Sequence, residues 1–100
     1  MQFLNIESII DIYMSEELQK KIYLLKELEL LAMRLGIQIR YEYLADAKSG
    51  LCILKGKTYL IIDTQTKIDD KLAIFKNILS KEDLSNIFIP PIVREFLSCG

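Results

Sequence analysis

One hundred residues, of which 51% are hydrophobic and 27% charged, suffice to bury one core without disulfide or metal staples, so a single domain over residues 1–100 is expected. The formal net charge is −1, and no run of Lys and Arg is longer than Lys20-Lys21, which argues against nucleic acid or an anionic membrane as partner, since both draw a basic excess. The chain contains no histidine, and this excludes histidine-based acid–base and nucleophilic mechanisms.

Residues 3–35 carry no Gly or Pro, and Leu, Glu, Lys and Met dominate their second half, so they are expected to be helical. Ser15 followed by Glu16 and Glu17 has the form of an N-cap with an acidic first turn, which divides the stretch into helices near 4–14 and 16–35. Gly36 stops the second one as a C′ residue. Its apolar arc is broad. Leu18, Ile22, Leu25 and Ala32 form one stripe, and Leu24, Leu28, Leu31 and Leu35 form the next. Together they span about half the cylinder. Tyr23, Leu30 and Met33 fall outside even that arc. Such width exceeds what a helix lying on a small sheet needs. The excess is expected to meet residues 3–14, a second subunit or a partner.

Residues 37–43 alternate strictly, with Ile37, Ile39, Tyr41 and Tyr43 on one side and Gln38, Arg40 and Glu42 on the other, as in a strand with one wet face. A loop from Ala45 to Gly50 leads to a second strand, 51–54. Lys55-Gly56-Lys57 then turns into a third strand, 58–63, with a continuous apolar run. The tight glycine turn makes strands two and three an antiparallel hairpin. Short connections place strand one beside them as an antiparallel neighbour, giving a meander. Thr66 to Lys81 reads as a helix, with Thr66 and Asp69 as a capping box and Ile68, Leu72, Phe75, Ile78 and Leu79 as its apolar stripe. Ser80 to Asp83 has the form of one further helical turn, and 87–89 of an extended piece. Pro90-Pro91 opens a short helix over 92–97. The expected class is α+β: N-terminal helices, a three-stranded antiparallel meander, a covering helix and a short C-terminal helix.

The candidate chemistry is thin. Gly56-Lys57-Thr58 has the ending of a phosphate-binding loop, but five residues separate Gly50 from Gly56 where four are required, and a strand follows where a helix is required. Cys52 lies between Leu51 and Ile53 with nothing to stabilise a thiolate, so a structural role is expected. Cys99 is close to the C-terminus, and the two cysteines form no Cys-x-x-Cys pair. No disulfide framework, signal peptide or membrane span is recognisable, and the expected compartment is the cytoplasm. Asp63, Asp69 and Asp70 bracket the junction between the third strand and its helix. They are the only clustered acids suited to a hard cation, but caps and first-turn charges account for the same residues and are the favoured reading. Tyr41 and Tyr43 share their face with Ile37 and Ile39, opposite Arg40, which suits core packing better than a stacking platform for nucleic acid.

The run Leu35-Gly36-Ile37-Gln38-Ile39-Arg40-Tyr41-Glu42, with Ser49-Gly50-Leu51-Cys52, Lys55-Gly56-Lys57, Asp63 and Pro90-Pro91-Ile92-Val93-Arg94, resembles a pattern in a family of small bacterial proteins with no assigned function. A weaker resemblance links the helix, strands and helix order to the N-terminal part of zincin-like metallopeptidases. That family carries His-Glu-x-x-His on the helix after its sheet. Here Lys76, Asn77 and Ser80 stand at about those positions, and none of them is a suitable zinc ligand. The resemblance therefore transfers no catalytic residue and implies no cofactor or metal.

The expected function is a non-catalytic protein-interaction module, self-associating or binding a protein partner through Leu24, Leu28, Leu31 and Leu35. The alternatives are a carboxylate- and metal-dependent hydrolase using Asp63, Asp69 and Asp70, or a small-ligand carrier with its pocket between sheet and helix.

Overall fold

The computed structural model describes residues 15–98. The helix expected over 4–14 and Cys99 lie outside them. Helix α1 spans Glu16–Arg34, strands β1, β2 and β3 span Ile37–Glu42, Gly50–Leu54 and Lys57–Asp63, helix α2 spans Ile68–Leu79, and helix α3 spans Pro91–Ser98. The class is α+β, and no helix among the described residues is long and apolar enough to cross a membrane.

The ends of α1 follow from local chemistry. Ser15 holds an extended backbone, and its Oγ accepts from the Leu18 N–H at 3.1 Å, which satisfies one of the orphan donors of the first turn. Glu16 and Glu17 lie at the positive end of the helix dipole and Arg34 at the negative end. Gly36 then adopts φ +84° and its N–H donates to the Met33 carbonyl at 3.0 Å. A side chain there would meet open space, so the left-handed backbone is what demands glycine.

The sheet departs from the expected meander. Its order is β1-β3-β2, with β2 antiparallel to β3 but β1 parallel to it. Residues 43–49 carry the chain from one edge to the other across the C-terminal end of β3. Both ends of this crossing are fastened there: Thr64 N–H donates to the Glu42 carbonyl at 3.0 Å, and Asp63 N–H donates to Ser49 Oγ at 2.9 Å. Tyr59-Leu60-Ile61-Ile62 is apolar on both faces and takes the centre, where both of its edges are paired. The more polar β1 takes an outer place.

All three helices lie on one face. Leu28, Leu31, Leu60, Ile62, Phe75, Leu79 and Val93 are fully buried. They fill the space between α1, α2, α3 and the strands, together with Leu24, Ala32, Ile37, Leu72 and Ile89. At about 25 cal/mol per Å² of apolar surface, this burial is the main stabilising contribution. The opposite face carries Gln38, Arg40, Glu42, Cys52, Tyr59 and Ile61 in register, with the Arg40 guanidinium 5.0 Å from the Tyr59 ring centroid. No helix of the described residues covers it.

Three further expectations change. Helix α2 begins at Ile68, and its cap residue Lys67 makes no side-chain capping bond, so Thr66 and Asp69 form no capping box. Thr66 instead ends a turn, its N–H donating to the Asp63 carbonyl at 3.0 Å. Asp83 forms a turn of its own, accepting from Ser85 N–H at 3.1 Å and Ser85 Oγ at 2.7 Å, rather than a helical one. Tyr43 falls beyond the end of β1, and both Tyr41, at 38%, and Tyr43, at 72%, are exposed, so neither joins the core.

Candidate interaction surface

Strand β2 reads Gly50-Leu51-Cys52-Ile53-Leu54 and holds no charge and no proline. Its hairpin turn has Lys55 at φ 51° and Gly56 at φ 78°, the pair of positive angles that a two-residue type I′ turn requires. Such a turn closes on a hydrogen-bonded pair, here Leu54 with Lys57, and bonded pairs then alternate along the ladder. The even residues of β2 therefore bond inward to β3. The parity shows at the end of β3, where Thr64 bonds toward β1 and Asp63 toward the β2 side. Leu51 and Ile53 are left with main-chain N–H and C=O groups directed outward, away from the sheet.

Leu51 and Ile53 also expose their side chains, as does Leu54 on the uncovered face. Leu51 is 51% exposed, Ile53 73% and Leu54 52%. Leu51 and Ile53 stand opposite Leu60 and Thr58, on the helix side of the sheet but beyond the reach of α2. Between this edge and α2 runs a groove of about 420 Å³, lined by Leu51, Ile74, Asn77, Ile78, Lys81 and Glu82. Lys48, Lys55 and Lys57 flank the strand in sequence. Neither these three nor Lys81 forms an ion pair with another described residue.

The residues expected from sequence to form a contact surface are elsewhere. Leu24, Leu28 and Leu31 are 8%, 0% and 2% exposed, and Leu35 packs against the same cluster. Most of the broad arc of α1 is directed into the chain, because α1 meets β1, α2 and α3 at once, while Leu18 and Ile22 are half-buried outside that cluster. Leu24, Leu28, Leu31 and Leu35 therefore pack in or against the core. Tyr23, Leu30 and Met33, outside the arc, are exposed.

The three aspartates are not brought together. Asp63 Oδ1 accepts from Gln65 N–H at 3.1 Å, and Asp69 pairs with Lys21 Nζ at 2.8 Å. That contact raises the Lys21 pKa above its ordinary value. Among the described residues no group of three or more Cys, Asp or Glu side chains is placed to hold a metal ion. Cys52 is half-buried on the uncovered face beside Tyr59. Gly56-Lys57-Thr58 is the hairpin turn running into β3. Lys76, within α2, sits 5.2 Å from the Phe96 ring.

One polar contact went unforeseen. Tyr41 Oη donates to Glu29 Oε2 at 2.9 Å, and Lys71 Nζ lies 5.0 Å from the same ring. Burial raises the Tyr41 pKa most, with the Glu29 hydrogen bond and charge adding to it. The β2 edge was also missed, although five uncharged residues before a glycine turn were its signal. Comparison with protein-family models, with curated proteins and with solved structures yields no match.

Proposed function

We propose that this chain is a non-catalytic protein-interaction module whose contact surface is the β2 edge. One observation carries the reading: outward-directed main chain and exposed apolar side chains coincide at Leu51 and Ile53. Sheet edges are ordinarily blunted by charge, proline or a bulge, because an open edge pairs with whatever strand it meets. None of those devices occurs in Gly50–Leu54, whose register with β3 is unbroken. The engagement of Asp63 and Asp69 in local contacts supports a binding role over a carboxylate-based one. The packed interface between sheet and helices leaves its grooves at the rims, which supports a surface contact over an enclosed small ligand.

Cross-linking capture from the source cell tests this. Wild-type chain retains a protein partner, with cross-links on Lys48, Lys55 or Lys57. Ile53→Lys loses it, and Met33→Lys, on the exposed side of α1, keeps it. Capture equal in all three, or none from wild type, contradicts the reading.

A further inference from the structure

We infer that the occupant of the β2 edge is an extended segment of another protein, in which apolar and acidic residues alternate, added along Gly50–Leu54 as a fourth strand. This rests on the reading of β2 as the contact edge.

Three features converge on that chemistry. Leu51 and Ile53 offer their N–H and C=O groups on one line, the spacing that an added strand satisfies. Every second side chain of such a strand falls on the helix side, over the groove of about 420 Å³ between Leu51 and Ile74, Ile78. Its apolar walls, Leu51, Ile74 and Ile78, suit apolar residues, and Ser49, Asn77, Lys81 and Glu82 also line it. The flanking charge then selects among apolar strands. Among the described residues, Lys48, Lys55, Lys57 and Lys81 outnumber the acids near this edge, Asp46, Asp63 and Glu82, a local excess of positive charge in a chain whose net charge is −1. Acidic residues beside the apolar ones match it.

The same charges disfavour a second copy. Antiparallel pairing of two β2 edges sets Leu51 against Ile53 of the other copy and Ser49 against its Lys55. Lys48 of each copy then lies beside Lys55 and Lys57 of the other, and like charges placed across a ladder are destabilising. A nucleic acid would match the charge but not the apolar groove.

The test is a titration of the isotope-labelled full chain, followed by amide NMR. The probes are a short synthetic peptide of alternating valine and glutamate, its valine–lysine counterpart and an oligothymidine. The glutamate peptide is expected to shift the amides of Leu51 and Ile53, slow their hydrogen exchange, and bind at least about tenfold more tightly than the lysine peptide at low salt. Ile53→Pro removes one outward donor without touching the β3 ladder and is expected to abolish binding. Ile53→Lys, at an exposed position, gives the same result should the proline variant fail to fold. Equal affinity for the two peptides, tighter binding of the oligothymidine, shifts confined to β1, or a peptide-free dimer in sedimentation that Ile53→Lys dissolves, would each overturn the inference. If a cellular partner is lost on Ile53→Lys but not displaced by the glutamate peptide, the acidic strand is refuted and the interaction module stands. If no partner is captured, the module reading fails, while the titration still decides what the edge binds.

Discussion

The sheet has two outer strands, and they are treated differently. β1 alternates Gln38, Arg40 and Glu42 with apolar residues, and Arg40 and Glu42 pair at 3.7 Å. Helix α1 leans over it, so that Glu29 and Met33 line a groove beside Ile37–Tyr41, and Tyr41 is tied to Glu29. β2 has no charge along its length and leaves Leu51, Ile53 and Leu54 in the open. Both strands have an unpaired side, so edge position alone does not explain the contrast. Charges of both signs on β1 discourage a stray strand, and β2 lacks that protection. Where a rule of good behaviour is kept on one edge and broken on the other, function is the first explanation to test.

Five substitutions break or sharpen the contrast. Leu60 is fully buried on the strand that both edges share, so Leu60→Ala removes support from both. It is expected to cost about 3 kcal/mol in urea denaturation, with exchange protection falling at β1 and β2 together. Gly56→Val forces a β-branched residue to φ 78° and is expected to cost about 1–2 kcal/mol. Here the amides of β2 lose protection before those of β1, which separates the two edges.

Tyr41→Phe acts on the β1 side alone. It removes the hydrogen bond to Glu29, at an expected cost of about 1 kcal/mol at neutral pH. The folded Tyr41 titrates above its ordinary value of 10.0. Its contribution is therefore complete below pH 10. Above that the unfolded phenol ionises first, and stability falls as pH rises toward the folded pKa. Urea midpoints from neutral to strongly alkaline pH should decline more steeply for wild type than for Tyr41→Phe, and parallel curves would refute the assignment. The smallest effect on stability comes from exchanging edge characters. Ile53→Lys and Glu42→Val are each expected to change stability by no more than about 0.5 kcal/mol. Light scattering at high concentration should nevertheless show more association for Glu42→Val, and none beyond wild type for Ile53→Lys, whose edge already disfavours a second copy. The reverse order would mean that charge does not govern either edge.

Much of this architecture was legible from residues alone. Ser15 capped its helix, Gly36 ended one, the Lys55-Gly56 turn made its hairpin, and Pro91 opened the last helix, because each is decided by a few neighbouring backbone groups. The placement of β1 was not, since a short connection is compatible with pairing to either strand of the hairpin. The clue was present in Tyr59-Leu60-Ile61-Ile62, which is apolar on both faces and so belongs in the middle. The width of the α1 stripe misled for a related reason. A helix touching three elements needs a wide apolar arc, and width alone cannot distinguish three internal neighbours from one external partner. The β2 edge escaped because openness is a property of the assembled sheet, and a run of five uncharged residues reads the same whether it is central or peripheral.

The crossing of residues 43–49 sets an order of assembly. Leu54 and Lys57 are three positions apart, whereas the first β1 contact, Ile37 with Thr58, joins residues 21 positions apart. By chain entropy, closing the longer span costs about 2 kcal/mol more, and hairpins form within about 1–10 μs. β2 and β3 therefore zip first and β1 arrives later, beside a strand that is already paired on one side. The outer line of β2 is set from that first moment, before the core has closed.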